Sequence, residues 1–393
     1  AFSALIGMGG APRASIEEGQ GNLEGAQKIM GNSFSILLMI AAVLTVVLQL
    51  FAEPLLLTFG ASENTIGYAM DYMRIYSLGT VFVLLTLGMN AYITAQGFTT
   101  VSMKTVLIGA GLNMVLDPIL IFGLHMGVKG AALATICSQA VSMLWVLRFL
   151  LGKQTKWRLR KSDMKLVPSV FLPSLALGLS PFIMQSTESL LAVCFNSSLL
   201  KYGGDIAVGA MTVLSSIMQF AMMPLQGLTQ GAQPIISYNY GAQNASRVRT
   251  AFRCLLRASL VYSAVLWASV MLFPQVFVSL FNNDPGLVGY AVWAVRIYMS
   301  AAVLFGIQLP CQMTFVALGN AKASLFLAVL RKIILLIPLI FILPNFFADK
   351  AFAVFLAEPA ADVLAVAATA VLFAVQFRRS MTALDSGGPR KAS

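Results

Sequence analysis

Long apolar stretches, separated by short polar ones, run along the whole chain. They lie at residues 1–14 (partial), 30–52, 66–94, 101–124, 130–151, 168–200, 205–233, 250–273, 288–318, 322–346 and 351–377. A helix needs about 20 mostly apolar residues to cross a bilayer, whereas a membrane barrel would show short alternating segments. The pattern therefore predicts an all-α, polytopic membrane protein with about eleven spans.

Part of the sequence recurs at a constant distance further along the chain. We call this distance, which separates Pro12 from Pro234, the repeat offset. The recurring residues are Pro12, Ser15, Gly19, Asn22 and the tripeptide Arg74-Ile75-Tyr76, which return as Pro234, Ser237, Gly241, Asn244 and Arg296-Ile297-Tyr298. A constant offset without gaps indicates an internal repeat. Each copy holds an even number of spans, so the copies are parallel and related by an axis along the membrane normal, as in many transporters.

The repeat predicts two pseudo-symmetric six-helix bundles. The stretch at 168–200 starts the second copy, and its partner would lie before residue 1, so we expect the first helix and part of the second to be missing. The predicted organisation is an incomplete first lobe with helices 2–6, a cytoplasmic basic linker, a second lobe with helices 7–12 and a cytoplasmic tail, at residues 1–151, 152–167, 168–378 and 379–393.

Basic residues are concentrated in the polar connectors. The densest cluster runs from Lys153 to Lys165, and further arginines and lysines occur at Arg247–Arg257, at Arg378 and Arg379, and at Arg390 and Lys391. Connectors rich in Lys and Arg stay in the cytoplasm, so the C-terminus is predicted to be cytoplasmic. The net charge of +11 then reflects membrane topology, and no nucleic acid partner is predicted.

Composition narrows the class of protein further. The chain is 58% hydrophobic and 10% charged, with a mean hydropathy of +0.83, while soluble domains are about a quarter charged. No Ser/His/Asp set, phosphate-binding loop or paired Cys/His ligands are visible. We therefore predict no enzymatic activity, no cofactor and no metal site beyond a coupling ion.

The most informative polar residues lie inside the apolar stretch 101–124. Asn113 and Asp117 are four residues apart and share one helix face, and Pro118 is predicted to bend the helix beside them. A carboxylate at bilayer depth is unfavourable by about 2.5–3.5 kcal/mol, which makes it a functional hypothesis by default. The alternative is a buried Asp that only ties helices together.

Other polar residues interrupt the apolar stretches. Thr135 and Gln139 are four apart, Gln185 and Glu188 are three apart, and Asn196 lies two turns beyond Glu188. Glu188 is a second candidate for binding a proton or a cation, with a structural hydrogen-bonding role as the alternative. Glu358 and Asp362 flank Pro359 on one face of the last stretch, and Arg331 and Lys332 are either their partners or cations that snorkel to the membrane edge.

A substrate cleft is expected to combine polar groups with adaptable apolar ones. Methionine side chains are flexible and polarizable and suit promiscuous apolar surfaces, although ordinary helix packing uses them too. The candidate cleft residues are Asn90, Gln139, Gln185, Asn196, Met218 and Met222. Pro224 and Pro234 join Pro118 as predicted kinks.

Several motifs resemble the multidrug and toxic compound extrusion (MATE) transporters, particularly their prokaryotic DinF-related branch. They are Gly9-Gly10-Ala11-Pro12 with Gly19-Gln20-Gly21-Asn22, Leu112–Pro118, Gly127–Thr135 and Gln230–Ala242. The resemblance implies twelve-helix antiporters that export cationic or amphipathic drugs in exchange for Na⁺ or H⁺. It also implies that Asn113, Asp117 and Thr135 belong to a cation site, that a further acid of this site lies on the missing first helix, and that Glu188 occupies a seventh-helix position where some members carry a functional acid.

The resulting prediction is a multi-pass plasma-membrane antiporter that works as a monomer in the lipid bilayer by rocking-bundle alternating access. The rivals are a flippase for lipid-linked oligosaccharides with the same two-lobe plan, and a membrane scaffold that transports nothing. Flippases of that kind are expected to line the cleft with cations for pyrophosphate, and few arginines lie within the apolar stretches here.

Overall fold

The computed structural model describes residues 1–58 and 64–386, so the end of the predicted tail, with Arg390 and Lys391, lies outside the described residues. Helices make up nearly all of the described chain, and no strand occurs in those two ranges. The helices are α1 (Phe2–Gly19), α2 (Leu23–Leu50), α3 (Ala52–Thr58), α4 (Ile66–Leu78), α5 (Thr80–Ala95), α6 (Thr99–Pro118), α7 (Gly127–Leu151), α8 (Pro168–Gly241), α9 (Ala245–Leu272), α10 (Pro274–Ser279), α11 (Pro285–Tyr298), α12 (Phe305–Ala317), α13 (Ala321–Val329), α14 (Ile337–Ile342) and α15 (Lys350–Asp385).

Many of these helices are long and apolar enough to cross a membrane. In the described ranges there are 7 such helices, or up to 9 if each of two bent pairs forms one span, with the broken helix α8 counted once. Large apolar side chains such as Met114, Phe122, Phe220 and Phe346 expose 69–77% of their surface. Apolar surface of this extent is typical of contact with lipid, and the predicted all-α polytopic membrane fold is confirmed.

The internal repeat is visible in the helix boundaries. Helices α2 and α9 begin and end at positions separated by the repeat offset. Each has an asparagine N-cap, Asn22 or Asn244, whose side chain accepts a hydrogen bond from the backbone N–H three residues later, at 2.9 and 3.0 Å. This contact satisfies a donor that the first turn of a helix otherwise leaves free. The repeated sequence therefore builds the same helix start twice.

A tertiary contact is repeated at the same offset. In the first copy the hydroxyl of Ser15 donates to the carbonyl of Ala95 at 3.4 Å, and in the second copy Ser237 donates to Ala317 at 2.9 Å. All four residues are buried. Because a buried hydroxyl needs a partner, the repeated serine fixes how the same two helical segments pack together in each copy.

Two of the predicted spans are bent pairs of helices. The stretch 66–94 folds as α4 and α5 with a bend of 52°, and the stretch 288–318 folds as α11 and α12 with a bend of 48°. Gly79 separates α4 from α5, and a Cβ atom there would overlap the side chain of Ile136. A short 3₁₀ turn, Ala302–Leu304, precedes α12. The apolar pattern alone did not reveal these bends, because it continues through them.

Helix α8 contains one break. Gly204 has φ 69° and ψ −166°, a conformation that is nearly restricted to glycine. This position separates the predicted apolar stretches 168–200 and 205–233. Pro224 and Pro234 lie in the helix beyond it, where no further non-helical backbone interrupts α8; their role as kinks stays a prediction.

The chain forms two compact units, Phe2–Gly178 and the chain from Leu179 onwards. The first has a core that includes Met30, Leu37, Met89 and Ile93, and the second has a core that includes Phe195, Leu199, Leu214 and Phe355. The division falls inside α8, so the basic segment at 152–167 and the first turns of α8 belong to the first unit. The predicted lobe boundaries, including the linker, stay predictions.

The basic segment packs against the first unit along its length. The side-chain oxygen Oε1 of Gln96 accepts hydrogen bonds from the hydroxyl of Thr155 and from the backbone N–H groups of Lys156 and Trp157, at 2.8–2.9 Å. The side chain of Trp157 is fully buried. The segment carries many charges, but its backbone is held in place by a buried amide and an aromatic anchor.

Candidate functional site

A first polar cluster lies within the first unit, where α5, α6 and α7 pack together. It contains Asn113 and Asp117 on α6 and Thr135 on α7. Two more polar residues lie along the same helices, Gln139 on α7 and Asn90 on α5, which contacts Ser102 near the other end of α6. These are the residues that the sequence singled out in this half. The structure places all of them on helices that contact one another, and all are half-buried.

Three atoms of these five side chains are buried without a hydrogen-bond partner in the described chain: Asn90 Oδ1, Asn113 Nδ2 and Gln139 Oε1. The Asn90 amide nitrogen is better satisfied, since it donates to the hydroxyl of Ser102 at 2.9 Å. Leaving a buried donor or acceptor unpaired destabilises a fold by about 1–3 kcal/mol. Such groups are typical of places that receive water, an ion or a ligand.

Asp117 forms no ion pair and no hydrogen bond with any residue in 1–58 or 64–386. The regular hydrogen bonding of α6 ends at Pro118, and a π-helical turn, Ile119–Gly123, follows it. Proline has no N–H to donate to the carbonyl of Met114, so that oxygen has a free lone pair one turn before the break. Carboxylate, amide and carbonyl oxygens are the ligands that hard cations such as Na⁺ prefer, by analogy with Ca²⁺ and Mg²⁺.

Helix α7 approaches this break closely. A Cβ atom at Gly130 would lie 2.7 Å from the carbonyl oxygen of Leu120, so only glycine fits against the π-helical turn. Thr135, further along α7, donates its hydroxyl to the carbonyl of Ala131 at 3.0 Å. That hydrogen bond fixes the hydroxyl proton and leaves the oxygen lone pairs available to a cation.

A second polar cluster lies within the second unit and is built from charges. Arg331 donates to the carboxylates of Asp362 at 2.7 Å and Glu358 at 3.0 Å, and these three side chains are 3–8% exposed. Lys332 donates to Glu188 at 2.8 Å, and the Glu188 side chain is 65% exposed. Of the two sequence alternatives for Arg331 and Lys332, the structure shows pairing with acids.

The local backbone and an aromatic ring position these cations. Arg331 and Lys332 lie in a π-helical stretch, Leu330–Leu336, which interrupts the regular helix between α13 and α14. The guanidinium group of Arg331 lies 4.9 Å from the centre of the Phe305 ring, a favourable cation–π arrangement. Apolar residues of similar volume are often at least as stabilising as a buried ion pair, so a gain in stability does not by itself account for these charges.

A chain of buried hydrogen bonds lies within the same unit. The hydroxyl of Thr369 donates to Gln308 Oε1 at 2.7 Å, and the amide of Gln308 donates to Gln312 Oε1 at 3.4 Å. Gln312 in turn donates to the hydroxyl of Ser180 at 3.2 Å. Sequence reasoning missed these residues. The signal was available, because the repeat offset pairs Gln308 and Gln312 with Thr86 and Asn90, which are polar as well.

The remaining predicted residues are spread over helix α8. Gln185 and Asn196 are exposed, and Met218 and Met222 are half-buried against the core of the second unit. No group of three or more His, Cys, Asp or Glu side chains with metal-binding geometry occurs within residues 1–58 and 64–386. The roles of the predicted coupling and cleft residues stay predictions.

Both units contain helices long and apolar enough to span a membrane, with charged and amide side chains between them. This combination is typical of a polytopic helical membrane transporter. The model of the MatE family matches residues 1–119 and 181–342, and the chain belongs to this family. The MATE resemblance found in the sequence is thereby confirmed, and so is the prediction that the protein is a transporter and not an enzyme.

Proteins named as multidrug exporters are similar to this chain and support the same assignment. The multidrug export protein MepA of Staphylococcus haemolyticus is 27% identical over 347 residues, which is 88% of this chain and 76% of that protein. A solved MATE multidrug transporter, DinF-BH in complex with rhodamine 6G, is 35% identical with a TM-score of 0.89, covering 97% of this chain and 84% of its own. A MATE structure in the bent conformation has a TM-score of 0.90 at 22% identity and covers 98% and 85% of the two chains.

Proposed function

We propose that the protein is a secondary antiporter that exports cationic or amphipathic compounds, drugs included, in exchange for Na⁺ or H⁺. Family membership and the multidrug export relatives support the transported class of compound. The single observation that carries the coupling is Asp117, an intramembrane carboxylate without a partner in the described chain. It lies one turn from the unpaired amide nitrogen of Asn113 and directly before a break in the helix.

The first cluster supplies the coupling step in this proposal. A proton or Na⁺ at Asp117 neutralises its charge, and the coordinating oxygens of Asn113 and Thr135 come from two different helices. Binding therefore changes the relative stability of two arrangements of α6 and α7 around the π-helical turn. A coupled ion must bind the two states with different affinity, and substrate must favour the other state.

The second cluster supports a further coupling role for Glu188. Its three carboxylates, Glu188, Glu358 and Asp362, face two cations, Arg331 and Lys332. With every group ionised the cluster has one negative charge in excess, which one proton or Na⁺ would neutralise. Glu188 is the exposed carboxylate of the set and therefore the accessible end for an ion.

The pairing in the second cluster also bears on the flippase alternative. A cleft for a pyrophosphate-linked lipid needs unpaired cations, and both Arg331 and Lys332 are already paired with carboxylates. The multidrug antiporter is the better supported function. The proposal includes a plasma-membrane location with a cytoplasmic C-terminus, action as a monomer in the bilayer, and no cofactor besides the coupling ion.

The test is efflux of rhodamine 6G, the compound bound in the DinF-BH structure, from vesicles that contain the purified protein. A Na⁺ gradient and a proton gradient are imposed separately. We expect one of them to drive transport of the dye and Asp117→Asn to abolish it, because the amide cannot carry the charge that binds the ion. Asp71→Asn is the matched control, since Asp71 is a carboxylate in an exposed ion pair with Lys129, and such a pair contributes little.

Two results would overturn the proposal. Efflux that persists unchanged in Asp117→Asn would remove Asp117 from the coupling mechanism. Absence of dye transport under both gradients, with protein that is folded and correctly inserted, would contradict multidrug antiport and return the flippase and scaffold hypotheses to first place.

A further inference from the structure

A cavity of about 380 Å³ lies between α9 and α15 in the second unit. Three arginines line it, Arg249, Arg253 and Arg378, together with the rings of Phe252 and Phe377. The two rings are in contact, with centres 5.0 Å apart. The cavity thus has cationic walls over an apolar base, and neither the coupling clusters nor the proposed transport cycle uses it.

Two of the three guanidinium groups are available to a ligand. Arg249 is paired with the carboxylate of Asp385 near the end of α15. Arg253 and Arg378 are exposed and form no ion pair with any residue that the structure describes. The sequence that follows the described part adds Arg390 and Lys391, two more cations and no acidic side chain. No carboxylate of the described chain therefore neutralises Arg253 or Arg378, and both can bind an external anion.

The internal repeat shows what occupies the equivalent place in the first unit. Gly31, the repeat equivalent of Arg253, is covered by the backbone of Asp163 from the basic segment. Asn32, one residue later, donates to the carbonyl of Asp163 at 3.1 Å, and Ser35, the equivalent of Arg257, donates to the carbonyl of Met164 at 2.7 Å. The first unit fills this position with its own chain, while the second unit has arginine in place of the glycine and leaves a cavity.

The position along the helices points to the membrane surface. Helix α9 carries four arginines between Arg247 and Arg257 and is nearly continuously apolar from Ala258 to Leu272. Helix α15 is apolar from Val363 to Val375 except for Thr369, and Arg378 follows this apolar part. Both unpaired arginines therefore lie where a membrane-spanning helix leaves the hydrocarbon, the depth at which lipid phosphates lie.

We propose that this cavity binds the phosphate headgroup of an anionic phospholipid from the membrane leaflet beside Arg253 and Arg378. The guanidinium groups of Arg253 and Arg378 donate hydrogen bonds to phosphate oxygens, a pairing that planar guanidinium favours. The apolar side of the cavity, formed by Phe252, Phe377 and Met381, contacts the glycerol backbone and the first part of an acyl chain. Basic pockets between membrane helices on the cytoplasmic side are suited to anionic headgroups.

The test measures the thermal unfolding midpoint of the detergent-solubilised protein during titration with phosphatidylglycerol. Phosphatidylcholine and inorganic phosphate are titrated in parallel. We expect phosphatidylglycerol to raise the midpoint in a saturable manner, and the other two to have little effect at the same concentrations. The double variant Arg253→Gln with Arg378→Gln is expected to raise the lipid concentration needed for half-saturation roughly 30-fold.

The chain offers a charge-matched control, Arg257→Gln with Arg379→Gln. It removes two cations from the same two helices, but neither residue lines the cavity, so we expect the affinity of the original protein. If lipid affinity fell equally in the two double variants, the proposed site would be wrong, because the lipid would then respond only to the net positive charge of the surface. Stabilisation by inorganic phosphate as strong as that by phosphatidylglycerol would overturn the assignment to a lipid.

Arg253→Gln alone is the milder variant if the double variant unfolds. It is expected to raise the lipid concentration needed for half-saturation about fivefold, and unchanged affinity would contradict the proposal. The measurement reads lipid binding and requires no transport. Its failure would therefore leave the antiporter proposal untouched, and a failed efflux assay would leave the lipid site untouched.

Discussion

At the scale of single residues, the buried cations Arg331 and Lys332 differ in how exposed their partner carboxylates are. Arg331 and both of its carboxylates are almost fully buried, whereas Lys332 pairs with a carboxylate that is 65% exposed. The two cations are neighbours in sequence and have the same formal charge. Their environments nevertheless differ, since the Glu188 carboxylate is open on one side whereas Glu358 and Asp362 are enclosed by the protein.

This contrast predicts different effects for two equivalent substitutions. Arg331→Met leaves two buried carboxylates without their cation and should lower the free energy of unfolding by about 3–5 kcal/mol. Lys332→Met leaves a carboxylate that the protein does not enclose, and its effect should be clearly smaller. Thermal unfolding in detergent compares the two variants, and equal destabilisation would contradict the buried network around Arg331.

At the scale of elements, the helices of this protein are interrupted at specific places. One π-helical turn follows Pro118 and another contains Arg331, the bends of 52° and 48° divide two spans, and Gly204 breaks α8. Interruptions free backbone carbonyls that a regular helix would use, and in membrane proteins this is tolerated where protein or water satisfies them. Two of the interruptions adjoin the polar clusters.

The break in α8 gives a prediction about glycine. Gly204→Ala places a Cβ in a conformation nearly restricted to glycine and should destabilise the protein by about 1–3 kcal/mol. Gly227→Ala is the control within the same helix, because a Cβ there meets nothing within 4 Å and its backbone is helical, so stability should rise by up to about 1 kcal/mol. The unfolding midpoints should move in opposite directions, and a harmless Gly204→Ala would contradict the observed backbone.

At the scale of the whole molecule, the connection between the units is anchored at one end. The segment at 152–167 is the most basic part of the chain, yet Gln96 holds its backbone and one hydroxyl through three hydrogen bonds. The first turns of α8 are held as well, since Arg13 donates to the carbonyl of Val170 at 2.7 Å and a Cβ at Gly178 would overlap the backbone of Leu5. These contacts hold the segment and the first turns of α8 against other helices of the first unit; the role of residues 152–167 as a linker between lobes stays a prediction.

The anchoring by Gln96 can be tested by proteolysis. Gln96→Leu leaves the N–H groups of Lys156 and Trp157 unpaired, at a penalty of about 1–3 kcal/mol each. Trypsin should then cut the segment between Lys153 and Lys165 several-fold faster than in the original protein. Gln49→Leu, which removes an amide that binds the backbone of α4, should leave this cleavage rate unchanged; equal rates in all three proteins would contradict the anchoring role of Gln96.

The sequence by itself determined the membrane-spanning class, the repeat and the residues of the first cluster. Apolar stretches of spanning length have few folds open to them, because every backbone polar group in lipid must be satisfied within the protein. Asp117 stood out because a charge in such a stretch is unfavourable on its own. The constant offset identified the two copies, and the boundaries of α2 and α9 follow it residue for residue.

The tertiary structure alone decided which polar groups meet. The sequence contained Gln308, Gln312 and Thr369, but uncharged polar residues are common in membrane helices, and their partners lie on other helices. It likewise contained Arg331 with two alternative roles, and only packing showed that Glu358 and Asp362 lie within hydrogen-bond distance. Composition indicated a basic, polar linker at 152–167, and only the structure showed that the buried ring of Trp157 and one amide oxygen hold its backbone. Partner choice depends on the contacts between helices, and those contacts are not encoded in the spacing along any one of them.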